Sequence, residues 1–106
     1  IADRAKDMII RGGENIYSSE VENVLYDHPA VTDAALIGIP HQQLGEEPAA
    51  VVHLAPGMAA SEAELQEWVA ARLAKFKVPV KIAFSSETLP RNANGKILKK
   101  ELSSFF

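Results

Sequence analysis

Two short, almost continuous apolar runs constrain the fold of this chain more than any other feature. Residues 31–39 and 50–54 are apolar at most positions, so they would present mostly apolar side chains on both faces of a strand. Runs of this length cannot cross a bilayer and are typical of buried strands. The sequence therefore predicts a central strand over 31–39 that ends at Pro40, a loop over 41–48, and a second strand over 50–54.

Two helices are predicted beside these strands by the spacing of serine and glutamate. Ser19 and Glu22 form one S-x-x-E capping box, and Ser61 and Glu64 form another. The second helix carries apolar residues at helical spacing, which predicts a stripe facing the core: Leu65, Trp68, Val69, Leu73 and Phe76.

The remaining segments complete an α+β layout within one domain of 106 residues. A β-prone run over 8–10 is broken by Gly12 and Gly13, which favours a hairpin. Residues 80–85 predict a third strand, and a turn-rich loop leads to a terminal helix from Ile97. The expected fold is a small central sheet of about three main strands flanked by helices, with a short N-terminal β-hairpin.

Composition excludes several classes of function. The chain has no cysteine, so disulfides, thiolate metal sites and cysteine nucleophiles are excluded, and its three histidines are too far apart for a local ligand pair. We therefore predict no metal site. The net charge of −3 argues against nucleic-acid binding. No signal peptide or membrane-spanning run is visible, and we expect a cytoplasmic protein.

The basic residues are concentrated near the C-terminus. Residues 75–100 hold seven lysines and arginines against Glu87 alone, whereas residues 1–74 hold four against twelve acidic residues. A solvated positive face and a surface that meets phosphates are both compatible with this pattern. Charge alone leaves both open.

Two motifs stand out as candidate sites. Gly12 and Gly13 follow a β-prone run and precede Glu14, but they lack the further glycine and lysine of a phosphate loop. Lys96 follows a flexible Asn94-Gly95 turn, where a long cationic side chain could stabilise charge on a phosphate or a carboxylate. Taken singly, a plain hairpin turn and an exposed loop lysine are the simpler interpretations.

Taken together and in order, the motifs resemble the C-terminal domain of the adenylate-forming superfamily, and most closely the fatty-acid and related acyl-CoA synthetases. The resemblance covers essentially the whole chain. It rests on DRAKDMIIRGGENIYSSEVE at 3–22, FKVP at 76–79 and LPRNANGKILK at 89–99, supported by the segment GEEP at 45–48. Ser18 departs from the family pattern, which frequently has proline there.

The resemblance implies an enzyme that joins a carboxylic acid, with a fatty acid expected, to AMP from ATP and Mg²⁺, and then transfers the acyl group to CoA. Lys96 would be the catalytic lysine that reaches the carboxylate and the α-phosphate. Arg4 would meet the ribose, and Lys6 would be the hinge of a mobile domain. The last group of implied residues would contact the pantetheine arm or the nucleotide of CoA: Gly12, Gly13, Glu14, Phe76 and Lys77.

The same resemblance implies a large N-terminal domain of the same polypeptide, which would hold most of the ATP, Mg²⁺ and acyl sites. The chain alone is therefore expected to be inactive. Two alternatives stay open. One is a non-catalytic, ferredoxin-like ligand-binding or regulatory module, and the other is an adenylating enzyme that loads the thiol of a carrier protein.

Overall fold

Residues 8–106, which the computed structural model describes, form a five-stranded sheet with short helices packed on it. The α+β class, the N-terminal hairpin and the flanking helices are confirmed. The strands are β1 (Met8–Arg11), β2 (Glu14–Tyr17), β3 (Val31–His41), β4 (Gly45–Leu54) and β5 (Lys81–Phe84), and the helices are α1 (Ser18–Tyr26), α2 (Glu62–Ala70) and α3 (Lys99–Leu102). Turns of 3₁₀ helix occupy Lys75–Lys77 and Ser103–Phe105.

The centre of the sheet is β4. Its whole length pairs antiparallel with β3, and its other edge pairs in parallel with β5 and, at Gly45, antiparallel with Arg11 of β1. The prediction of a central strand over 31–39 is therefore wrong, because β3 lies at the edge. The parallel strands β4 and β5 are direct neighbours joined through α2, unlike the split βαβ unit of a ferredoxin-like fold.

The apolar run in β3 has a different explanation, since both faces of the sheet are covered. Ala34 and Leu36 face a core built with α1 and α2. Ala35 and Ile37 alternate with them and face a second core, on which the C-terminal segment packs. Members of this second core are Ala35, Ile37, Ile39, Ala49, Val51, Leu89 and Leu102.

The predicted loop over 41–48 is also wrong, because β3 and β4 form a long hairpin with a tight turn. Pro40 pairs with Glu46 within the ladder. Proline lacks the N–H donor, yet it is tolerated on an edge strand. His41 closes the turn because its Nδ1 accepts hydrogen bonds from the N–H groups of Gln43 and Leu44, at 3.1 and 3.0 Å.

One of the two predicted capping boxes forms its side-chain cap. The Oγ of Ser61 accepts a hydrogen bond of 3.1 Å from the N–H of Glu64, and α2 begins at the next residue. The Ser19 prediction is wrong, because β2 runs directly into α1 and Tyr17 takes the N-cap position without a side-chain bond. Glu22 instead accepts a hydrogen bond of 2.9 Å from the N–H of Leu36.

The C-terminal helix is shorter than predicted from Ile97. It spans Lys99–Leu102 and passes into the 3₁₀ turn. Leu102 is fully buried in the second core, while Ile97 packs against that core from the preceding loop. Leu102 and Ile97 therefore anchor the C-terminal segment to the sheet.

Ser18, the first residue of α1, offers a stability prediction. It is 1% exposed, and its Oγ has no hydrogen-bond partner among the described residues. Its N–H falls in the first helical turn, where proline is favoured, and Tyr17 before it is extended (φ −87°, ψ 117°), as proline requires. Ser18→Pro should therefore stabilise the domain by about 0.5–1 kcal/mol, because it restricts the unfolded chain.

Thermal unfolding measures this effect, and the expected rise in Tm is on the order of 4 °C. Ser18→Ala is the matched control, since it removes the unpartnered hydroxyl without fixing φ. A Tm for Ser18→Pro at or below that of Ser18→Ala would show that the ring does not fit at this position.

Candidate functional site

Lys96 lies at the end of a tight, hydrogen-bonded turn. Arg91 and Ile97 form an isolated antiparallel bridge at the base of this turn. Inside it, the Oδ1 of Asn92 accepts from the N–H groups of Asn94 and Lys96, at 2.9 and 3.0 Å. Asn92 also donates its own N–H to the carbonyl of Lys96 at 2.9 Å. The lysine backbone is therefore held in place while its side chain is exposed.

Two residues shape this turn, and sequence reasoning identified one of them. Gly95 has φ +82°, which glycine adopts without strain. Asn92 organises the turn through its side chain, as asparagine commonly does two residues before the N–H it binds. The signal for Asn92 is an asparagine two residues after Pro90 and three before Gly95, but the prediction emphasised Asn94 instead.

The groove around Lys96 is rich in basic groups and has a volume of about 840 Å³. Arg91, Lys99 and Lys100 line it with Lys96, and α1 contributes Glu22 and Tyr26. Lys99 forms an ion pair with Glu22 at 2.7 Å. The lining still carries more basic than acidic groups, since Glu22 and Glu101 are its only acidic members among the described residues.

Asp33 joins this groove to the sheet. Its carboxylate accepts hydrogen bonds from the Tyr26 hydroxyl at 2.8 Å, from the Leu89 N–H at 2.8 Å, and from both terminal nitrogens of Arg91. Burial would raise the pKa of Asp33, but the hydrogen bonds from Arg91, Leu89 and Tyr26 outweigh it and hold the pKa below its usual value. Asp33 is therefore ionised at neutral pH.

The neighbouring groups respond to this buried charge. Burial, together with the Asp33 carboxylate, raises the pKa of Tyr26. The hydrogen bonds to Asp33 raise the pKa of Arg91. The tyrosine thus stays a neutral donor and the arginine a cation, as the geometry requires.

The glycine pair forms the turn of the β1–β2 hairpin, as predicted. Gly12 and Gly13 have φ +55° and +89°. A Cβ on Gly12 would lie 2.8 Å from the Cδ2 of Leu44, whose carbonyl accepts the Gly12 N–H at 2.8 Å. A Cβ on Gly13 would meet nothing within 4 Å. A side chain on Gly12 would therefore press on the Leu44 side chain, whereas Gly13 faces open space.

A second groove, of about 870 Å³, lies beside this hairpin. Glu14 and Phe76, both predicted as site residues, line it together with Arg11, Lys75 and residues of α2. Arg11 and Lys75 were missed by sequence reasoning, although both lie within one or two residues of predicted site positions. The structure therefore brings one residue of each distant motif, Glu14 and Phe76, into one groove, whereas Gly12 and Gly13 do not line it.

Lys77 is placed differently from its predicted neighbours. Its Nζ forms an ion pair with Glu20 at 2.6 Å, and it does not line the second groove. This pair connects the 3₁₀ turn to α1. The second groove and the groove around Lys96 share no lining residue, so Lys96 lies in a different groove from Glu14 and Phe76. Arg4 and Lys6 lie outside the described residues.

The described part of the chain offers neither a cluster of metal ligands nor a membrane-spanning helix. Among residues 8–106, no group of three or more histidine, aspartate or glutamate side chains could hold a metal ion. No helix in these residues is long and apolar enough to span a membrane.

Comparison with known proteins shows the family to which this fold belongs. The model of the AMP-binding enzyme C-terminal domain family matches residues 20–96, and this chain belongs to that family. Its sequence is 48% identical over its full length to a feruloyl-CoA synthase of an Amycolatopsis species, and covers 21% of that protein. It is 43% identical over its full length to a fatty acid–[acyl-carrier-protein] ligase of Streptomyces coeruleorubidus, covering 20% of that protein.

A solved structure agrees with these relatives. The fatty acyl CoA synthetase of Mycobacterium tuberculosis superposes with a TM-score of 0.85 at 42% identity, over 95% of this chain and 20% of that one. The chain thus spans about a fifth of the length of the proteins it matches. The enzyme-domain interpretation is favoured over the regulatory module.

Proposed function

We propose that this chain is the mobile C-terminal domain of an AMP-forming acyl-CoA synthetase. One observation carries the proposal: Lys96 projects from a hydrogen-bonded turn into a basic groove that is separate from the groove beside the glycine hairpin. Two separate sites on one small domain suit an enzyme with two half-reactions. In the first, a carboxylate oxygen attacks the α-phosphorus of ATP and pyrophosphate leaves; in the second, a thiol sulfur attacks the acyl carbon and AMP leaves.

Lys96 serves the first half-reaction in this proposal. A carboxylate must approach an anionic phosphate, and a positioned ammonium offsets their repulsion and the charge of the transition state. The basic groove and the fixed turn support this role. Arg4, at the ribose, and Lys6, at the hinge between domains, complete the assignment on the strength of the sequence resemblance. Mg²⁺ is assigned to the large domain on the strength of the same resemblance.

The hairpin groove serves the second half-reaction. Gly12, Gly13 and Glu14 would line the passage for the pantetheine arm, and the open space beside Gly13 supports close approach of a ligand to the backbone. Phe76 would contact the CoA nucleotide, because it lines the same groove as Glu14. Lys77 would contact the CoA nucleotide beside Phe76, with its ammonium held in place by Glu20.

A fatty acid is the proposed acid substrate, and ferulate-type aromatic acids are the alternative substrates. Relatives named for fatty acids support this choice, and relatives named for ferulate and 2-succinylbenzoate support the aromatic alternative. A carrier-protein thiol is a second candidate acceptor, because one relative is named as an acyl-carrier-protein ligase.

Assays of the full-length protein test these assignments. Acid-dependent exchange of pyrophosphate into ATP reports the first step, and a panel of fatty and aromatic acids should give the highest exchange with a fatty acid. Thioester formation is then compared for CoA and for a pantetheinylated carrier protein, and CoA should be preferred. Absence of acid-dependent exchange across the panel would contradict the proposed reaction.

A further inference from the structure

A buried aspartate on the edge strand holds the turn that presents Lys96. Asp33 is 2% exposed, in a strand whose other inward residues are apolar. The pairing register of β3 with β4 shifts between Val31 and Asp33. Such irregularities re-aim side chains and are common next to active sites. Here the shift accompanies a carboxylate that contacts the C-terminal segment, 56 and 58 residues away.

The carboxylate binds the turn at its base. It accepts the N–H of Leu89 at 2.8 Å, just before the turn, and pairs with the guanidinium of Arg91 through both terminal nitrogens. A two-pronged pair of this kind fixes orientation as well as distance. The Tyr26 hydroxyl, from the end of α1, supplies a further hydrogen bond at 2.8 Å.

The fixed arginine is connected to Lys96 by backbone hydrogen bonds. Arg91 forms the bridge with Ile97, the residue after the lysine. The carbonyl of Pro90 accepts the N–H of Leu98 at 2.8 Å, and Asn92 binds Lys96 in both directions. A displacement of Arg91 would therefore displace the turn that carries Lys96.

We propose that Asp33 is a positioning residue, which acts through Arg91 to hold Lys96 where the first half-reaction needs it. The inference rests on the proposed function. Small displacements of a positioned group can cost on the order of 100-fold in rate, even when the change lies away from the chemistry. The second half-reaction uses the other groove and should be insensitive to the change.

The test compares both half-reactions in the full-length enzyme. Asp33→Asn should slow formation of acyl-adenylate from acid and ATP roughly 10- to 100-fold. It should change thioester formation from preformed acyl-adenylate by less than about threefold, within the spread expected of uncoupled sites. Glu62→Gln is the matched control, because the Glu62 carboxylate also accepts a backbone N–H, from Ile82 at 2.7 Å, but lines neither groove.

A double-variant cycle separates positioning from general destabilisation. In a Lys96→Ala background, Asp33→Asn should slow the residual adenylation less than about twofold, because the residue it positions is gone. A full 10-fold loss in that background would overturn the inference. If Asp33→Asn fails to fold, Arg91→Lys enters the same cycle, since it keeps the charge and loses the two-pronged geometry.

The outcomes distinguish this inference from the proposed function. Normal adenylation by Asp33→Asn together with loss in Lys96→Ala would overturn the positioning role and leave the proposed function standing. Normal adenylation by Lys96→Ala would overturn both.

Discussion

Lys96→Ala in the full-length enzyme is expected to slow acyl-adenylate formation by at least 100-fold, the order of magnitude for losing one preorganised charge-stabilising group. The turn around Lys96 is held by Asn92 through backbone hydrogen bonds, so truncating the lysine side chain leaves the turn intact. Thioester formation from preformed acyl-adenylate should stay within about threefold of the wild type, because the second groove contains no part of this turn. Rapid-quench assays with each starting substrate measure the two steps.

Two control variants sharpen this prediction. Lys81→Ala removes an exposed lysine that lines neither groove, and it should change neither step. Lys96→Arg keeps the charge in a different shape, so partial recovery would show that charge contributes apart from geometry. Equal losses in both half-reactions for Lys96→Ala would contradict the role assigned to this residue.

Gly13→Leu is expected to have the second large effect, on the thiol step. The new side chain would fill the open space beside the hairpin, and thioester formation should fall roughly 100-fold while pyrophosphate release continues. Gly13 is the better choice for this test than Gly12, because a side chain on Gly12 would press directly on the Leu44 side chain.

Backbone strain needs its own control, because leucine at φ +89° is unfavourable by about 1–3 kcal/mol wherever it occurs. Gly57 supplies the match: it has φ +78°, and a Cβ there would also meet nothing within 4 Å. It differs in place, because β1 meets β4 at Gly45 whereas Gly57 follows the opposite end of β4. Gly57→Leu should lower stability similarly and leave the thiol step unchanged. Normal CoA turnover by Gly13→Leu would remove the hairpin from the thiol passage.

Local signals in the sequence predicted the elements that local interactions create. The Ser61 cap, the glycine turn and the buried pair Leu65 and Val69 of α2 depend on residues within a few positions of each other, and all three form. The predicted stripe was too long for the helix, because α2 ends at Ala70 and Leu73 and Phe76 pack against the core from the segment that follows. The Ser19 prediction failed because β2 continues directly into α1, which leaves no separate cap position. The prediction at Pro40 failed because an edge strand tolerates a missing donor.

Long-range features of the site were beyond such signals. Nothing near Asp33 in the sequence indicates that its partner is Arg91, 58 residues later. The pairing of Lys77 with Glu20, 57 residues apart, is equally invisible to local patterns. The family resemblance located Lys96 and Glu14, but only the fold places them in separate grooves.

The most direct test of this account is the ratio of the two half-reaction rates, adenylation over thioester formation, measured on single preparations of Lys96→Ala and Gly13→Leu in the full-length enzyme. Two separate sites predict that the ratio falls by at least about 30-fold in the lysine variant and rises by a similar factor in the glycine variant, given losses on the order of 100-fold in one step and small changes in the other. A ratio that stays at the wild-type value in both variants would contradict the division of the two half-reactions between the two grooves.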